Sequence, residues 1–472
     1  MLKQASLFLL LGLVACGDDS TTAAGDSGAL TDAPRRDVAE GDDAGGDAGF
    51  GDAAPEEDAE VDTGSDAGPE ADAGSDAGPR LPGTSVESYG CACDGVSNDT
   101  ECLLAALADF DAWDNRTLEW PTDATCIAAN LVWAAPAGSE DSPFILRGNG
   151  AVLKAPDGHP VRATSPWDPI MRVNGGQWLV FDDVNLDGNR DTRAPAENPS
   201  HSILIMSSRD VLIENMNSVD SVTDGIYIAA RSATDLESRP QRIIVRNPIV
   251  RRAYRNNISI IGCVDCAVTG DGNGADSTCQ LTGAQGTPPQ AGIDFEPNRD
   301  NAAPAIENNT LDGCYISGNY GTGILLHDAG EPRGIVVRNN TVEGERRTFR
   351  ATCGAAMHLA SDDVLIENNV FQNYNIDPEC RALFDWGALS ATASTTIFRN
   401  NRIENVRFES GSTHLFRIHP ANQGGHTITD NTLVNVGTSE GGDWCLDGSG
   451  TASRIENNTI DGVLQSPNPG CP

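Results

Sequence analysis

The chain is poor in positive charge: 31 Lys and Arg stand against 69 Asp and Glu, a formal net charge of −38 over 472 residues. That balance argues against unassisted nucleic-acid binding, which needs clustered cations on the phosphate backbone. Aromatic residues make up only 5%, whereas glycine numbers 50, and this combination argues against a conventional two-layer core. Long apolar runs are lacking as well. The run at the N-terminus, Leu7 to Ala15, has nine residues, well short of the ~20 that cross a bilayer as a helix. No GxSxG, HExxH, Walker or GxGxxG motif occurs in a fitting context. No CxxC pair stands opposite a second CxxC or a close HxxxH, which discounts a structural zinc site.

What is present begins with an address. Lys3 followed by the Leu7 to Ala15 run has the charge order and length of a signal peptide, residues 1–15. Leu13-Val14-Ala15-Cys16 resembles the bacterial lipobox. The resemblance implies cleavage before Cys16, lipidation of Cys16, and an exported protein attached to a bacterial membrane through its lipid alone. Gly17 stands where Asp would favour inner-membrane retention, which points to the outer membrane, facing periplasm or cell surface. From Gly17 to Arg80 the chain carries 14 Asp, 5 Glu and 3 Arg, a net of −16. Such a segment buries too little apolar surface to offset its ordering entropy, so residues 16–84 are expected to form a self-repelling, disordered tether. Setting Cys16 aside leaves 12 of the 13 cysteines, an even number that fits a disulfide framework in an oxidising compartment.

Residues 85–472 are repetitive. AIENNTLDG (from Ala305), VVRNNTVEG (from Val336), LIENNVFQN (from Leu365), IFRNNRIEN (from Ile397), TITDNTLVN (from Thr427) and RIENNTIDG (from Arg454) share a short strand, an Asn pair or its equivalent, and a second strand. The second Asn falls at Asn309, Asn340, Asn369, Asn401, Asn431 and Asn458, in steps of 31, 29, 32, 30 and 27. Alternation of period two marks strands. The Asn pair suits a tight bend, because Asn tolerates the left-handed conformation, and stacked pairs are expected to form hydrogen-bonded ladders. A third strand recurs in each period: GIYIAA (Gly225), NISIIG (Asn257), GIDFEP (Gly292), GILLHD (Gly323), AAMHLA (Ala355), LFDWG (Leu383), FRIHP (Phe416) and CLDGSG (Cys445). Three short strands per coil of ~30 residues, none able to bury a face alone, predict an all-β solenoid, a right-handed single-stranded parallel β-helix of about 9–11 coils. The LxxLxLxxN spacing of leucine-rich repeats is missing.

Tyr89 to Thr100 reads YGCACDGVSNDT and is followed by the helical pattern ECLLAALADF and then LEWP. This opening is similar to the YGAxGDGxxDDTxALxxAL…FP start of pectate-lyase-like β-helix proteins. Asp94, Gly95, Asn98, Asp99 and Thr100 carry the likeness, and Cys91 and Cys93 depart from it. VNLDGNR (from Val184) and PPQAGIDFEPN (from Pro288) look like further segments of that superfamily. The resemblance covers Ser85 to Pro472. It implies an N-terminal helical cap and a polysaccharide groove along the outer face of the sheet built by the GIDFEP-type strands. It leaves the reaction open, because that fold hosts lyases, hydrolases, epimerases, phage tailspikes and non-enzymes.

Alternation sorts the groove strands. Ile293 and Phe295 should point inward, which turns Asp294 and Glu296 outward. The same rule gives a first outward column of Tyr227, Ser259, Asp294, Leu325, His358, Asp385, Arg417 and Asp447. A second holds Ala229, Ile261, Glu296, His327, Ala360, Gly387, His419 and Ser449. Two chemistries fit these columns. Glycoside hydrolysis needs two carboxyl groups; Asp294 and Glu296, with Cα atoms ~6.6 Å apart, supply them, and His327 lies beside Glu296. Elimination or C5 epimerisation of a uronate needs a base and a neutralised carboxylate. His358 oriented by Asp385 would be the base and Arg417 the neutralising cation, or Ca²⁺ held by Asp294 and Glu296 would neutralise. Arg251, Arg252 and Arg255 with Tyr254, and Arg346, Arg347 and Arg350, enter the groove on loops and tilt the choice toward an anionic, uronate-type glycan. Tyr320 and Trp444 are candidates for stacking on sugars, whereas alternation with Phe384 sends Trp386 to the core. The competing reading is a non-catalytic surface glycan-binding or adhesion protein, in which His358, Asp385, Arg417 and Asp447 form a salt-bridged ladder. The alignment also sets Cys353 opposite Cys380, one coil apart and near disulfide distance. Cys91, Cys93, Cys102 and Cys126 should staple the cap, Cys263, Cys266, Cys279 and Cys314 the long loop before GIDFEP, and Cys445 and Cys471 the last coil.

Overall fold

The computed structural model describes residues 81–158, 169–193, 200–231, 236–297, 306–327, 332–344, 354–376, 382–386, 395–408, 414–418, 425–438, 446–447, 454–461 and 463–464. The leader, Cys16 and the tether up to residue 80 lie outside these residues, as do Arg346, Arg347, Arg350, Cys353, Cys380, His419, Trp444, Cys445 and Cys471.

Short strands stack into three sheets of 15, 15 and 11 strands, which we term the first, second and third. A strand pairs not with its neighbour in the chain but with its counterpart one coil away, as Arg209–Glu214 does with Gln177–Asp182 and Gln241–Arg246. Among the described residues every strand pairing between successive coils is parallel; the one antiparallel strand pair joins Thr459–Ile460 to Val463–Leu464. The chain is therefore a parallel β-helix, with the GIDFEP-type strands making up the third sheet.

The Asn pairs divide two tasks. The first residue of each pair takes the left-handed conformation: Asn308, Asn339, Asn368, Asn400, Asp430 and Asn457 have φ of 54°, 56°, 57°, 55°, 58° and 56°. From Asn339 on this turns the chain from the first sheet to the second. Asn308 instead bends it within the first sheet, between Ile306–Glu307 and Thr310–Asp312, so Asn309 bonds Cys266 and Cys263 and not Asn340. The steric cost is small, since Asn and Asp visit that region more readily than other residues with a Cβ. The second residue points inward and is buried at Asn309, Asn340, Asn369, Asn401, Asn431 and Asn458. From Asn340 on, each amide Nδ2 donates to the Oδ1 of the next Asn, at 2.9, 3.0, 3.1 and 2.9 Å, and that Oδ1 also accepts the backbone N–H of the Asn before it. Buried bends leave main-chain donors without strand partners, and the ladder satisfies them.

Between the ladders the interior is filled by like residues stacked on like. Phe384 lies parallel to Phe416 at 4.9 Å, Phe398 meets Phe384 edge-on at 5.0 Å, and Trp386 is buried against Phe416. The helix Thr100–Ala108 closes the N-terminal end, burying Leu103, Ala106 and Leu107 over the strand Leu131–Ala134. Asp99, just before it, is buried; its carboxylate accepts the N–H groups of Ala92, Cys93 and Ile127 and so ties the YGCACDGVSNDT loop to the first coil.

Two disulfides staple this cap, Cys91–Cys102 and Cys93–Cys126. The expectation for the other four cysteines needs correction. Cys263 bonds Cys266 and Cys279 bonds Cys314, but the span before GIDFEP is not a long loop. It contributes strands to the first and second sheets (Cys263–Val264, Ala267–Thr269 and Cys279–Thr282). Cys279 and Cys314 face each other on paired strands, so their bond joins two coils rather than tethering a loop.

Candidate active site

Strand pairing in the third sheet runs Val132, Arg172, Leu204, Tyr227, Ser259, Asp294, Leu325, His358, Asp385, Arg417, Asp447, each opposite the next. Parallel strands lie ~4.8 Å apart, so from Val132 to Arg417 this column is a row of side chains on the outer face. One residue past the strands the second column continues the stacking: Glu296 donates its N–H to Ile260, His327 to Phe295 and Ala360 to Leu326. The face is not an open solvated surface. Leu204, Tyr227, Ser259, Asp294, Leu325 and Asp385 are all buried. Arg172, Arg255, Glu296, His327, His358 and Arg417 are half-buried, and they line a buried floor with accessible titratable groups.

Asp294 lies at the centre of that floor, 0% exposed. Its Oδ2 accepts an N–H from the Asn256 amide at 2.8 Å, while Oδ1 has no donor facing it. Burial, and after it the neighbouring Glu296 carboxylate, push the Asp294 carboxyl well above its usual range; Asp224 adds to this and Arg255 opposes it. A proton on Asp294 directed at Glu296 removes both the unsatisfied oxygen and the like-charge contact. The pair is thus a buried carboxyl behind a half-exposed carboxylate.

Behind Asp294 is a group that reasoning from alternation missed. Arg255 donates from Nε and Nη2 to Asp224, at 2.9 and 2.7 Å. Asp224 is fully buried, also accepts the backbone N–H of Asn256 at 3.0 Å, and faces His201 Nδ1 at 3.3 Å. The His201 ring stacks on Tyr227 at 4.0 Å. Burial raises the Asp224 carboxyl, but Arg255 and His201 more than reverse this and hold it below the usual carboxylate range. Burial lowers His201 against the opposing pull of Asp224. His201, Asp224 and Asn256 sit in the bends before the third-sheet strands, outside the alternating pattern. A signal for them exists, since each precedes its outward residue (Leu204, Tyr227, Ser259) by three positions.

Further along the column His358 Nδ1 faces Asp385 Oδ2 at 3.5 Å, and Arg417 Nη1 reaches the same oxygen at 3.5 Å. Asp385 therefore serves both, and Arg417 is not a free cation for a substrate carboxylate. The loop arginines also differ from expectation. Arg251 lies on a second-sheet strand and donates to Gln280. Arg252 is paired with Asp220 and Asp191, and Arg255 with Asp224. The charges of Arg252 and Arg255 are met by acids of neighbouring coils. Tyr254 is half-buried with Gly286 flat against its ring, where a Cβ would fall 2.2 Å from a ring carbon.

Among the described residues no third His, Cys, Asp or Glu joins Asp294 and Glu296 in a close group of candidate calcium ligands. Ca²⁺ takes roughly six to eight oxygens, whereas here one carboxyl is buried against an amide N–H and a single carboxylate. Among the described residues the only close group of three candidate ligands is Cys93, Asp99 and Cys126, and its two sulfurs are joined to each other.

Comparison with known proteins agrees with this architecture. The family model described as "Right handed beta helix region" matches residues 290–461. The uncharacterized protein YclG of Bacillus subtilis is 25% identical over 302 residues, which are 60% of this chain and 45% of that protein, so the match spans less than half of the relative. Among solved structures, PfbA, a surface adhesin of Streptococcus pneumoniae, is similar with a TM-score of 0.54 at 12% identity, covering 80% of this chain and 91% of that one. The N-terminal fragment of bacteriophage Phi29 gene product 12 gives 0.50 at 14%, covering 81% and 67%. The A-module of the Azotobacter vinelandii mannuronan C-5 epimerase AlgE4 gives 0.47 at 15%, covering 82% and 98%. At such identities the likeness is one of fold. The folded domain is a right-handed parallel β-helix.

Proposed function

We propose that this protein binds a polysaccharide along the outer face of the third sheet and cleaves it by proton transfer at Glu296. Glu296 and His327 on adjacent coils, with His358 and Arg417 further along the same face, suit an extended ligand better than a compact one. The observation that carries the reading is the Asp294–Glu296 pair: a fully buried carboxyl set behind a half-exposed carboxylate on one strand. Environments that push two carboxyl groups apart in proton affinity assign them acid and base roles. Asp294, having no exposure, acts through Glu296. Glu296 and His327, one coil apart, are the two groups positioned to exchange protons with a ligand, and His358 and Arg417 contact it further along. Hydrolysis is favoured over uronate elimination or epimerisation, because Arg255 and Arg417 are already paired with Asp224 and Asp385. A binding role without catalysis is the second reading. The complete pairing of those arginines favours it, as does the similarity to a surface adhesin.

The protein should be incubated with neutral and acidic polysaccharides, with and without Ca²⁺. New reducing ends without the ultraviolet absorbance of an unsaturated product, lost in Glu296→Gln, would support hydrolysis. Absorbance rising with the ends would replace it with elimination. Retained binding without new ends on any polymer would establish the binding role. We also propose export and lipid anchoring through Cys16, on a tether of about residues 16–84. Four disulfides among the described residues suit an oxidising compartment. Labelling with a radioactive fatty acid, lost in Cys16→Ser, is the check.

A further inference from the structure

If Glu296 works with Asp294 behind it, the charges around Asp294 decide how that pair behaves. The charged groups whose fields reach Asp294 are Glu296 on its own strand, and Arg255 and Asp224 from the bends of the two preceding coils. Tyr227, two coils back, senses both carboxyl groups as well. Its direct neighbours in the column, Ser259 and Leu325, carry no charge. Arg255 is the one cation in this set. With no other partner it would turn toward Asp294 and Glu296 and favour the ionised form of Asp294.

It has another partner. Asp224 takes the guanidinium from two sides, at 2.9 and 2.7 Å, in the planar two-point geometry that makes Arg–carboxylate pairs strong. Asp224 is itself held in place: His201 faces it at 3.3 Å with its ring stacked on Tyr227, and the Asn256 backbone N–H binds it at 3.0 Å. Asn256 then transmits this position. Its Oδ1 accepts the Ala291 N–H at 2.8 Å, and its amide Nδ2 donates to Ser259 Oγ at 3.1 Å and to Asp294 Oδ2 at 2.8 Å. His201, Asp224 and Asn256 are buried, so none of them touches a ligand.

We propose that Asp224 is the positioning residue of this site: its two-point ion pair withholds Arg255 from the Asp294–Glu296 pair, and its bond to the Asn256 backbone sets the amide that holds Asp294. Asp224→Asn removes one negative charge near Asp294 and releases a positive one toward it. Both changes favour the ionised form, so the Asp294 carboxyl should titrate lower by about one pH unit or more. Loss of the Asp224 charge alone, with Arg255 staying where it is, would give a smaller downward shift.

The proposal rests on the reading that Asp294 and Glu296 form the reacting pair, so its test has a readout that needs no substrate. The infrared band of the protonated Asp294 carboxyl, assigned by its loss in Asp294→Asn, is followed against pH in the full-length protein and in Asp224→Asn. A downward shift is the expected result; an unchanged titration in a folded variant overturns the proposal. Because Asp224→Asn leaves Arg255 without its partner and so destabilises the fold, Asp224→Asn with Arg255→Met is measured alongside. This pair removes both charges and should titrate higher than Asp224→Asn alone; equal titration of the two variants also overturns the proposal. Polysaccharide cleavage that survives Glu296→Gln would refute the proposed function separately, and would leave the infrared result to decide the role of Asp224.

Discussion

Replacing Asn401 by Ala tests how the coils are held together. The Asn401 amide donates to the Ile366 carbonyl at 3.0 Å and to Asn431 Oδ1 at 3.1 Å. Its Oδ1 accepts both the backbone N–H and the side-chain N–H of Asn369, each at 3.0 Å. The site is buried, so water cannot readily replace these partners. Truncation leaves the Asn369 backbone N–H without its acceptor and the Ile366 carbonyl without this donor. Each buried polar group left in that state costs about 1–3 kcal/mol, and the vacated volume adds to it, so the loss should reach about 3–5 kcal/mol. The adjacent residue is the control. Asn400 is exposed with φ of 55°, and Ala there meets mainly backbone strain of about 1–2 kcal/mol. Urea unfolding of the full-length variants followed by circular dichroism measures both. Because solenoid coils can open semi-independently, amide exchange at residues 364–370 and 397–403 should show the loss concentrated around the ladder. If Asn401→Ala costs no more than Asn400→Ala, the ladder does not stabilise the stack as argued.

Three further outcomes are expected. Asp385→Asn removes the negative charge shared by His358 and Arg417; both are partly exposed, so stability should fall by about 1–2 kcal/mol. Kinetics on any cleaved polymer should show a raised KM with kcat within about tenfold, whereas a kcat loss of about 10²–10⁴ would make His358 the base instead. His426 is buried against Trp386, and burial lowers its affinity for a proton. The unfolded chain takes up that proton as pH falls through about 6.5 while the folded chain resists it, so stability drops below that pH. His426→Phe should flatten the fall in urea midpoint between about pH 6.5 and 5, and an unchanged slope would refute the assignment. Replacing Cys93 and Cys126 with Ser opens a bond with a sequence separation of 33. It should lower the stability of the N-terminal cap by about 3 kcal/mol, read as earlier proteolysis near Asp94–Asn98 with later coils still protected.

Much of the fold is legible in the chain because its rules are local. The Asn pair announces a left-handed bend followed by an inward amide, and both residues do this at Asn339–Asn340, Asn368–Asn369 and Asn400–Asn401. Period-two alternation separates Ile293 and Phe295 from Asp294, and the recurring spacing places Ser259, Asp294 and Leu325 in one row. The cysteines before GIDFEP were harder to place, because strands of two to four residues around Cys263 and Cys279 carry too little pattern to stand out from a loop.

The amino-acid sequence by itself determined the repeat, the bends, the three strands of each coil and the order of side chains along the outer face. Each depends on residues close in the chain or on one repeated spacing. Only the tertiary structure decided which of those side chains are covered and with whom they pair. Arg252 meets Asp191 and Asp220, Arg255 meets Asp224, and Arg417 meets Asp385 because coils bring residues about thirty or sixty positions apart to neighbouring places. Asp294 differs from an ordinary surface aspartate through its burial beside Glu296 and Asn256, a property of its surroundings that the alternating pattern does not encode.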